Sequence, residues 1–459
     1  MTLSALFGTL MSSIAVFASS KLTEETSLRQ LVYSVGGKVE SARIFGDLDS
    51  FAYYYMDLQV GSPAQRTSVI IDTGSTVGAF PCNVCRNCGK HIDTAFNFDM
   101  SSSASWVGCG DDCNGECKEG HCSYTQSYRE GSSLKGWFFN DFVSIGDQDD
   151  KNPAVRTTMG CHVEETKLFY SQRANGILGM APHRQGKGPT LLETLFASSE
   201  ISKEMFSLCL SPVGGELVVG GFDSKTHKSE IIWTNMQIMQ FYKVFPVSCE
   251  IAGQTIATDF GKTIVDSGTT LTYFPTAFYK ALKEQINISC KNCVKKGENC
   301  WNTAEGFPDA NLKFQDGAVV SWPAKNGYLG FKKGSQSWCY TFADSESVET
   351  VLGASFMINH DVVFDLKNLK IGFANADCPV VTSRPDFTPT FSKTKSAENS
   401  TDDGFTVTVV ILFAFAIFSL LVIHIINRRL NKEPERQELT AVIGAPYDEE
   451  AQWPDRAKV

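Results

Sequence analysis

Two stretches constrain what this chain can fold into more than any others: Val69-Ile70-Ile71-Asp72-Thr73-Gly74-Ser75 and Thr263-Ile264-Val265-Asp266-Ser267-Gly268-Thr269. In each, a β-branched run meets a carboxylate, a hydroxyl residue, a glycine and a second hydroxyl residue. The apolar run predicts a buried strand, and the glycine lets the backbone turn sharply just past the acid. A single copy would be an ordinary turn sequence. Two copies, each followed by more apolar residues (Phe80-Pro81 and Tyr273-Phe274-Pro275), predict a duplicated lobe, with each lobe supplying one carboxylate to a shared site.

Two carboxylates at about 3 Å cannot both ionise, so they share a proton and their pKa values split. The ionised acid can take a proton from a water held between them, and the protonated one can donate to a substrate carbonyl. That is amide hydrolysis by general acid–base catalysis, without a covalent intermediate. The hydroxyls serve this device: Ser75 and Thr269 are placed to donate to the outer carboxylate oxygens of Asp72 and Asp266. Thr73 and Ser267 are placed to tie the loops together, beside Gly74 and Gly268.

In these stretches the chain resembles the pepsin-like aspartic proteases, and the resemblance runs from Phe51 to Cys378. Asn175-Gly176-Ile177-Leu178-Gly179-Met180 is similar to that family's strand behind the first acid loop, and Val351-Leu352-Gly353 to its partner behind the second. Val363-Phe364-Asp365 and Ile371-Gly372-Phe373-Ala374 resemble the closing strands. Ser127 to Ser132 resembles the flap hairpin, with Tyr128 as the flap tyrosine. One departure is Ala79, where the family usually has a Trp, so the flap tyrosine loses its customary ring-nitrogen partner. The implied fold is mainly β, a bilobal pepsin-like protease with lobes at 48–214 and 215–378, needing no cofactor.

At 459 residues the chain has room for two full cores and accessories. A net charge of −10, with no basic run, argues against nucleic acid as a partner. Residues 1–20 read as a signal peptide, and 21–47 as an N-terminal arm or short pro-segment. Residues 379–404 are rich in Ser, Thr, Asp and Pro and read as a stalk. From Phe405 to Ile426 the chain is almost wholly apolar, long enough for one transmembrane helix (405–427). Arg428, Arg429 and Lys432 follow, which places the tail (428–459) in the cytosol and the lobes in the lumen, a type I arrangement. A monomer in the membrane of the endoplasmic reticulum or Golgi is expected. Asn287 and Asn399 head glycosylation sequons.

The 15 cysteines point to an oxidising compartment. Cys82-x-x-Cys85-x-x-Cys88-x-x-His91 has metal-ligand spacing, but Cys109, Cys113, Cys117, Cys122 and Cys161 follow. The eight form an even set suited to disulfides, so no metal is expected. His91 is expected to pack or hydrogen-bond inside this insertion. Cys249, in an alternating stretch, is the expected free thiol of the second lobe.

The segment from Cys82 to Cys122 resembles the cysteine-rich insertion of nepenthesin-type enzymes. Its pattern Phe80-Pro81-Cys82-Asn83-x-Cys85-x-x-Cys88-Gly89-x-His91 is similar to that of plasmepsin V and its apicomplexan relatives. The nepenthesin resemblance implies a Cys209–Cys378 bridge. The plasmepsin V resemblance implies cleavage after Leu in an Arg-x-Leu export motif of polypeptides entering the secretory pathway. It also implies that Glu130, two residues past Tyr128, reads the substrate Arg, with Gln172 as a second polar partner. Arg129 stands where that group has a flap cysteine, so thiol regulation through the flap is not expected, and its side chain is expected to point to solvent. A broader secretory maturase of the same fold, or an inactive binding protein, are the alternatives. Inactive relatives usually lose an acid, a loop glycine or the flap tyrosine, and Asp72, Gly74, Asp266, Gly268 and Tyr128 are all present.

Overall fold

The computed structural model describes residues 39–385, apart from 111, 112, 114, 183–188, 199, 200, 202, 291 and 292. The expected signal peptide, most of the stalk, Asn399, the 405–427 span and the tail lie outside the described residues. Among the described residues no helix is long and apolar enough to cross a membrane.

Strands dominate, as the β-branched and aromatic runs require. The largest sheet has 15 strands, and smaller sheets have six, four and four. Helices are few; Thr276–Ser289, with Phe278, Leu282 and Ile286 turned inward, has 14 residues. The duplication predicted from the acid loops is visible in the pairing. In the first lobe Gln65–Asp72 runs parallel to Gly176–Gly179, which pairs antiparallel with Gly78–Pro81. In the second, Thr263–Val265 runs parallel to Thr350–Leu352, which pairs antiparallel with Thr272–Phe274. Each acid thus leaves a buried strand at the same place in a repeated unit.

The lobes join through an antiparallel run of strands. Glu40–Asp47 pairs with Gly215–Val219, which pairs with Met205–Leu210; His360–Asp365 and Lys370–Asn375 continue it. Two expectations change here. The segment 21–47, read from its polarity as an arm or pro-segment, enters the sheet as a core strand from Glu40 on: Ala42 and Ile44 are buried and alternate with polar residues. The expected lobe boundary at 214/215 falls in the tight turn of the hairpin Met205–Leu210/Gly215–Val219, inside the joining sheet.

The stalk also starts later than its composition implies. Val381 N donates to Val213 O at 3.0 Å. Arg384 then plants its guanidinium on Asp57 and Asp93 of the first lobe, with Nε 2.8 Å from Asp57 Oδ1 and Nη2 2.6 Å from Asp93 Oδ2. Its side chain is only 10% exposed. A polar segment with no core of its own is held in place by two carboxylates supplied from 291 and 327 residues away.

Seven disulfides staple the described chain: Cys82–Cys161, Cys85–Cys88, Cys109–Cys117, Cys113–Cys122, Cys209–Cys378, Cys290–Cys293 and Cys300–Cys339. The three thiols of the metal-like spacing are spent in two of these bridges. Cys249 is free and buried, and its burial pushes the thiol up to about 12.

Candidate active site

Asp72 ends its strand buried among apolar residues, and Asp266 follows Val265 in the same way. Each acid is held first by its own loop. Gly74 N donates to Asp72 Oδ1 at 2.8 Å, and Ser75 Oγ donates to Asp72 Oδ2. In the second loop Gly268 N donates to Asp266 Oδ1 at 3.0 Å and Thr269 Oγ1 to Asp266 Oδ2 at 2.7 Å. The same residue positions do the same work in both lobes.

The loops then lock across the lobe boundary. Thr73 N donates to Ser267 Oγ at 3.1 Å, and Ser267 N donates to Thr73 Oγ1 at 2.9 Å. Their hydroxyls donate onward, Thr73 to Val265 O at 3.0 Å and Ser267 to Ile71 O at 2.7 Å. Every hydroxyl in this lattice is used, which fixes the spacing of the carboxyls. The glycines let the loops approach: a Cβ on Gly74 would lie 2.6 Å from Asp266 Oδ1, and one on Gly268 would collide with Asp72 Oδ1.

Burial raises both carboxyls, and the Asp266 charge lifts Asp72 well above its ordinary value. The two carboxyls lie close enough to interact directly and to share one proton. A buried carboxyl pair holding one proton can act as acid and base in the same turnover.

A cavity of ≈ 370 Å³ opens beside this pair, lined by Gly74, Ser75 and Tyr128 from the first lobe and Asp266, Thr269 and Glu349 from the second. The hairpin strands His121–Ser127 and Ser133–Ile145 carry Tyr128 over it. Tyr128 packs against Phe169, with centroids 4.8 Å apart. Among the described residues its buried hydroxyl makes no well-formed hydrogen bond, and Ala79 offers no ring donor. The nearby Ser75 hydroxyl already donates to Asp72. Burial, and then the Asp72 charge, raise the phenol well above its ordinary range.

Glu130 is partly buried. Its Oε1 accepts from Ser132 N at 3.2 Å, and its Oε2 is buried without a partner among the described residues. Gln172 is buried, with Nε2 donating to Ala174 O at 3.1 Å. Arg129 is half exposed to solvent and pairs with Glu349 of the second lobe, Nη1 to Oε2 3.0 Å. His91 departs from expectation, reaching out of the insertion to Glu165 and Gln172. Glu165 and Glu349 had no sequence signal of their own: His91 lies 74 residues from Glu165, and Arg129 lies 220 residues from Glu349. Asn287 sits in the helix Thr276–Ser289 with its Oδ1 buried.

Comparison with known proteins agrees with this geometry. The sequence profile of the family described as eukaryotic aspartyl protease matches residues 53–376. Aspartic protease 5 of Toxoplasma gondii is 33% identical over 74% of this chain, which spans 38% of that relative's length. Plasmepsin V of Plasmodium falciparum is 27% identical over 78% of this chain and 76% of its own length. Nepenthesin-1 of Nepenthes gracilis is 27% identical over 71% of this chain and 78% of its own. With a profile match that begins and ends on the two lobes, and two interlocked acid loops inside it, the chain belongs to the eukaryotic aspartyl protease family.

Proposed function

We propose that this chain is an endopeptidase in which Asp72 and Asp266 activate a water between them and protonate the scissile amide. The observation that carries the reading is the reciprocal lock of Thr73 and Ser267, which brings two buried, hydroxyl-supported carboxyls together. Such a pair is costly to bury and needs a use. An inactive binding protein would not need both acids, both loop glycines and the flap tyrosine.

The substrate reading is cleavage after Leu in Arg-x-Leu motifs of proteins entering the secretory pathway. It draws on the similarity to plasmepsin V. It also draws on Glu130, whose buried Oε2, unpartnered among the described residues, can accept from a guanidinium beside the flap. A carboxylate and a guanidinium form charge-assisted, bidentate hydrogen bonds that Lys cannot match in geometry. Gln172 is assigned as the second partner through its amide oxygen. Leu would fill an apolar pocket beside the pair, where a methylene more or less is worth only about 1–3 kcal/mol, so the Arg contact carries most of the selectivity. The enzyme is placed in the endoplasmic reticulum or Golgi, anchored by 405–427 with its lobes in the lumen; the disulfides accord with that compartment.

The test is a swap series with the full-length enzyme in detergent. Wild type, Glu130→Ala and Glu130→Gln are assayed on Arg-x-Leu, Lys-x-Leu and Ala-x-Leu peptides. The variants should lose most of the preference for Arg while still cutting after Leu. Preference surviving Glu130→Ala intact would sink the specificity reading and leave a broader maturase of the same chemistry.

A further inference from the structure

The cysteine-rich insertion is built into the floor of the flap. From Arg86 to Ile92 it runs along 163–173: Arg86 N donates to Val163 O at 3.1 Å, Glu165 N to Asn87 O at 2.9 Å and Ile92 N to Arg173 O at 2.8 Å. Among these backbone contacts one side chain makes two bridges. The His91 imidazole is 3% exposed. Its Nδ1 lies 3.1 Å from the Gln172 carbonyl oxygen, and its Nε2 lies 3.0 Å from Glu165 Oε2.

Both partners are acceptors. A carbonyl has no proton to give. Burial alone would raise the Glu165 carboxyl, but hydrogen bonds from His162 and His91 outweigh it and hold it at about 2. His91 thus faces an acceptor at each ring nitrogen. Glu165 is completed by His162 Nδ1 at 2.8 Å and Gly89 N at 3.0 Å.

What His91 spans is the short helix Lys167–Ser171. Glu165 lies just before it and Gln172 is its C-cap. Five residues are too few to hold a helix by their own hydrogen bonds, so the clamp at both ends matters. This helix seats the flap: Phe169 meets Tyr128, Leu168 N donates to Ser132 Oγ at 3.2 Å, and the Ser133 and Thr166 hydroxyls are 3.0 Å apart. Gly89 approaches it so closely that a Cβ would collide with the Tyr170 carbonyl.

We propose that His91 is a positioning residue for the flap: by clamping Glu165 and Gln172 it fixes the helix Lys167–Ser171 and so the seat of Tyr128. The insertion thereby acts on substrate binding without touching substrate. The inference rests on the reading of this chain as a peptidase whose flap covers Asp72 and Asp266, and is independent of any preference for Arg.

The experiment uses full-length enzyme carrying His91→Ala, His91→Asn or His91→Gln, with kcat and KM measured on Arg-x-Leu and Ala-x-Leu peptides. Loss of both contacts, one of them to a carboxylate, in His91→Ala should raise KM about tenfold on both peptides, with kcat held within about twofold. Asn overlays Nδ1 and keeps the Gln172 bond; Gln overlays Nε2 and keeps the Glu165 bond; each should recover part of the loss. In a Phe169→Ala background, where the seat is already gone, His91→Ala should add nothing. Unchanged KM in folded His91→Ala, or the same rise in both backgrounds, would overturn the proposal. So would a fall in kcat that only tracks the folded fraction, counted by thermal melting. If His91→Ala does not fold, the Asn and Gln variants decide, and wild-type KM in both would refute the clamp. Absence of Arg preference in wild type would remove the specificity reading while leaving the KM comparison intact.

Discussion

At the scale of single residues, two acids dominate, and their protonation has two measurable consequences. Asp72→Asn or Asp266→Asn should each reduce peptide hydrolysis to background with the fold retained, since acid and base roles cannot both be filled by one carboxyl. Substantial residual turnover in either variant would refute the two-acid mechanism. The rate should follow a bell in pH, falling when both acids are protonated and again when the shared proton is lost. Stability gives a second test. Both carboxyls are raised in the folded state above their ordinary 3.8. Between that value and the raised one, the folded chain binds more protons than the unfolded chain. Their contribution is thus fully present at low pH and lost as pH rises through the folded value. Asp72→Asn should therefore gain melting temperature relative to wild type as pH increases from mildly acidic to neutral. Equal shifts at all pH values would show that the pair is not strained by its charge. The loop glycines belong to this scale too: Gly74→Ala puts a methyl against Asp266 and should abolish activity, read by the same peptide assay.

At the scale of elements, the flap hairpin is held from two sides. On its inner side it rests on the helix Lys167–Ser171. At its tip Arg129 pairs with Glu349 of the second lobe. Both side chains of that pair are well exposed, at 51% and 39%, and screening limits such a bridge to about 0–1 kcal/mol. Arg129→Ala should leave the melting temperature unchanged and alter KM less than about fivefold, the change vanishing at high salt. A large, salt-independent change in KM would instead mean that Arg129 contacts substrate.

At the scale of the whole molecule, the lobes are joined by a shared antiparallel sheet, by the Cys209–Cys378 bridge and by a strap that ends at Arg384. The strap brings a guanidinium onto two buried carboxylates, and removing one partner of such a set strands the others. Arg384→Ala should destabilise the protein by about 3–5 kcal/mol, read by chemical denaturation. A loss below about 1 kcal/mol would reduce the strap to a surface contact. Burial raises the Asp57 carboxyl even against the Arg384 bonds, so without Arg384 it is left buried with only the charge of Arg66 to offset it.

How much of this was legible in the chain follows from the range of each interaction. The acid loops could be read because their chemistry is local: a β-branched strand, an acid, and donors one to three residues on. The repeated lobe followed from the two matched stretches, and the mainly β fold from the family resemblance that they carry. Glu130 and Gln172 came from resemblance, and the fold adds the local bonds around them. The rest needed the folded chain. His91 meets partners 74 and 81 residues away, Arg129 meets Glu349 220 residues away, and Arg384 meets Asp57 327 residues away. No local pattern encodes such pairings. The polar segment 379–385 reads as solvated because composition records only what a segment could bury by itself. By itself the sequence determined two strand-borne acids and their hydroxyl donors, since backbone turn chemistry fixes those within a few residues. The tertiary structure decided which distant carboxylates Arg384, Arg129 and His91 meet, because only chain closure brings together residues so far apart in sequence.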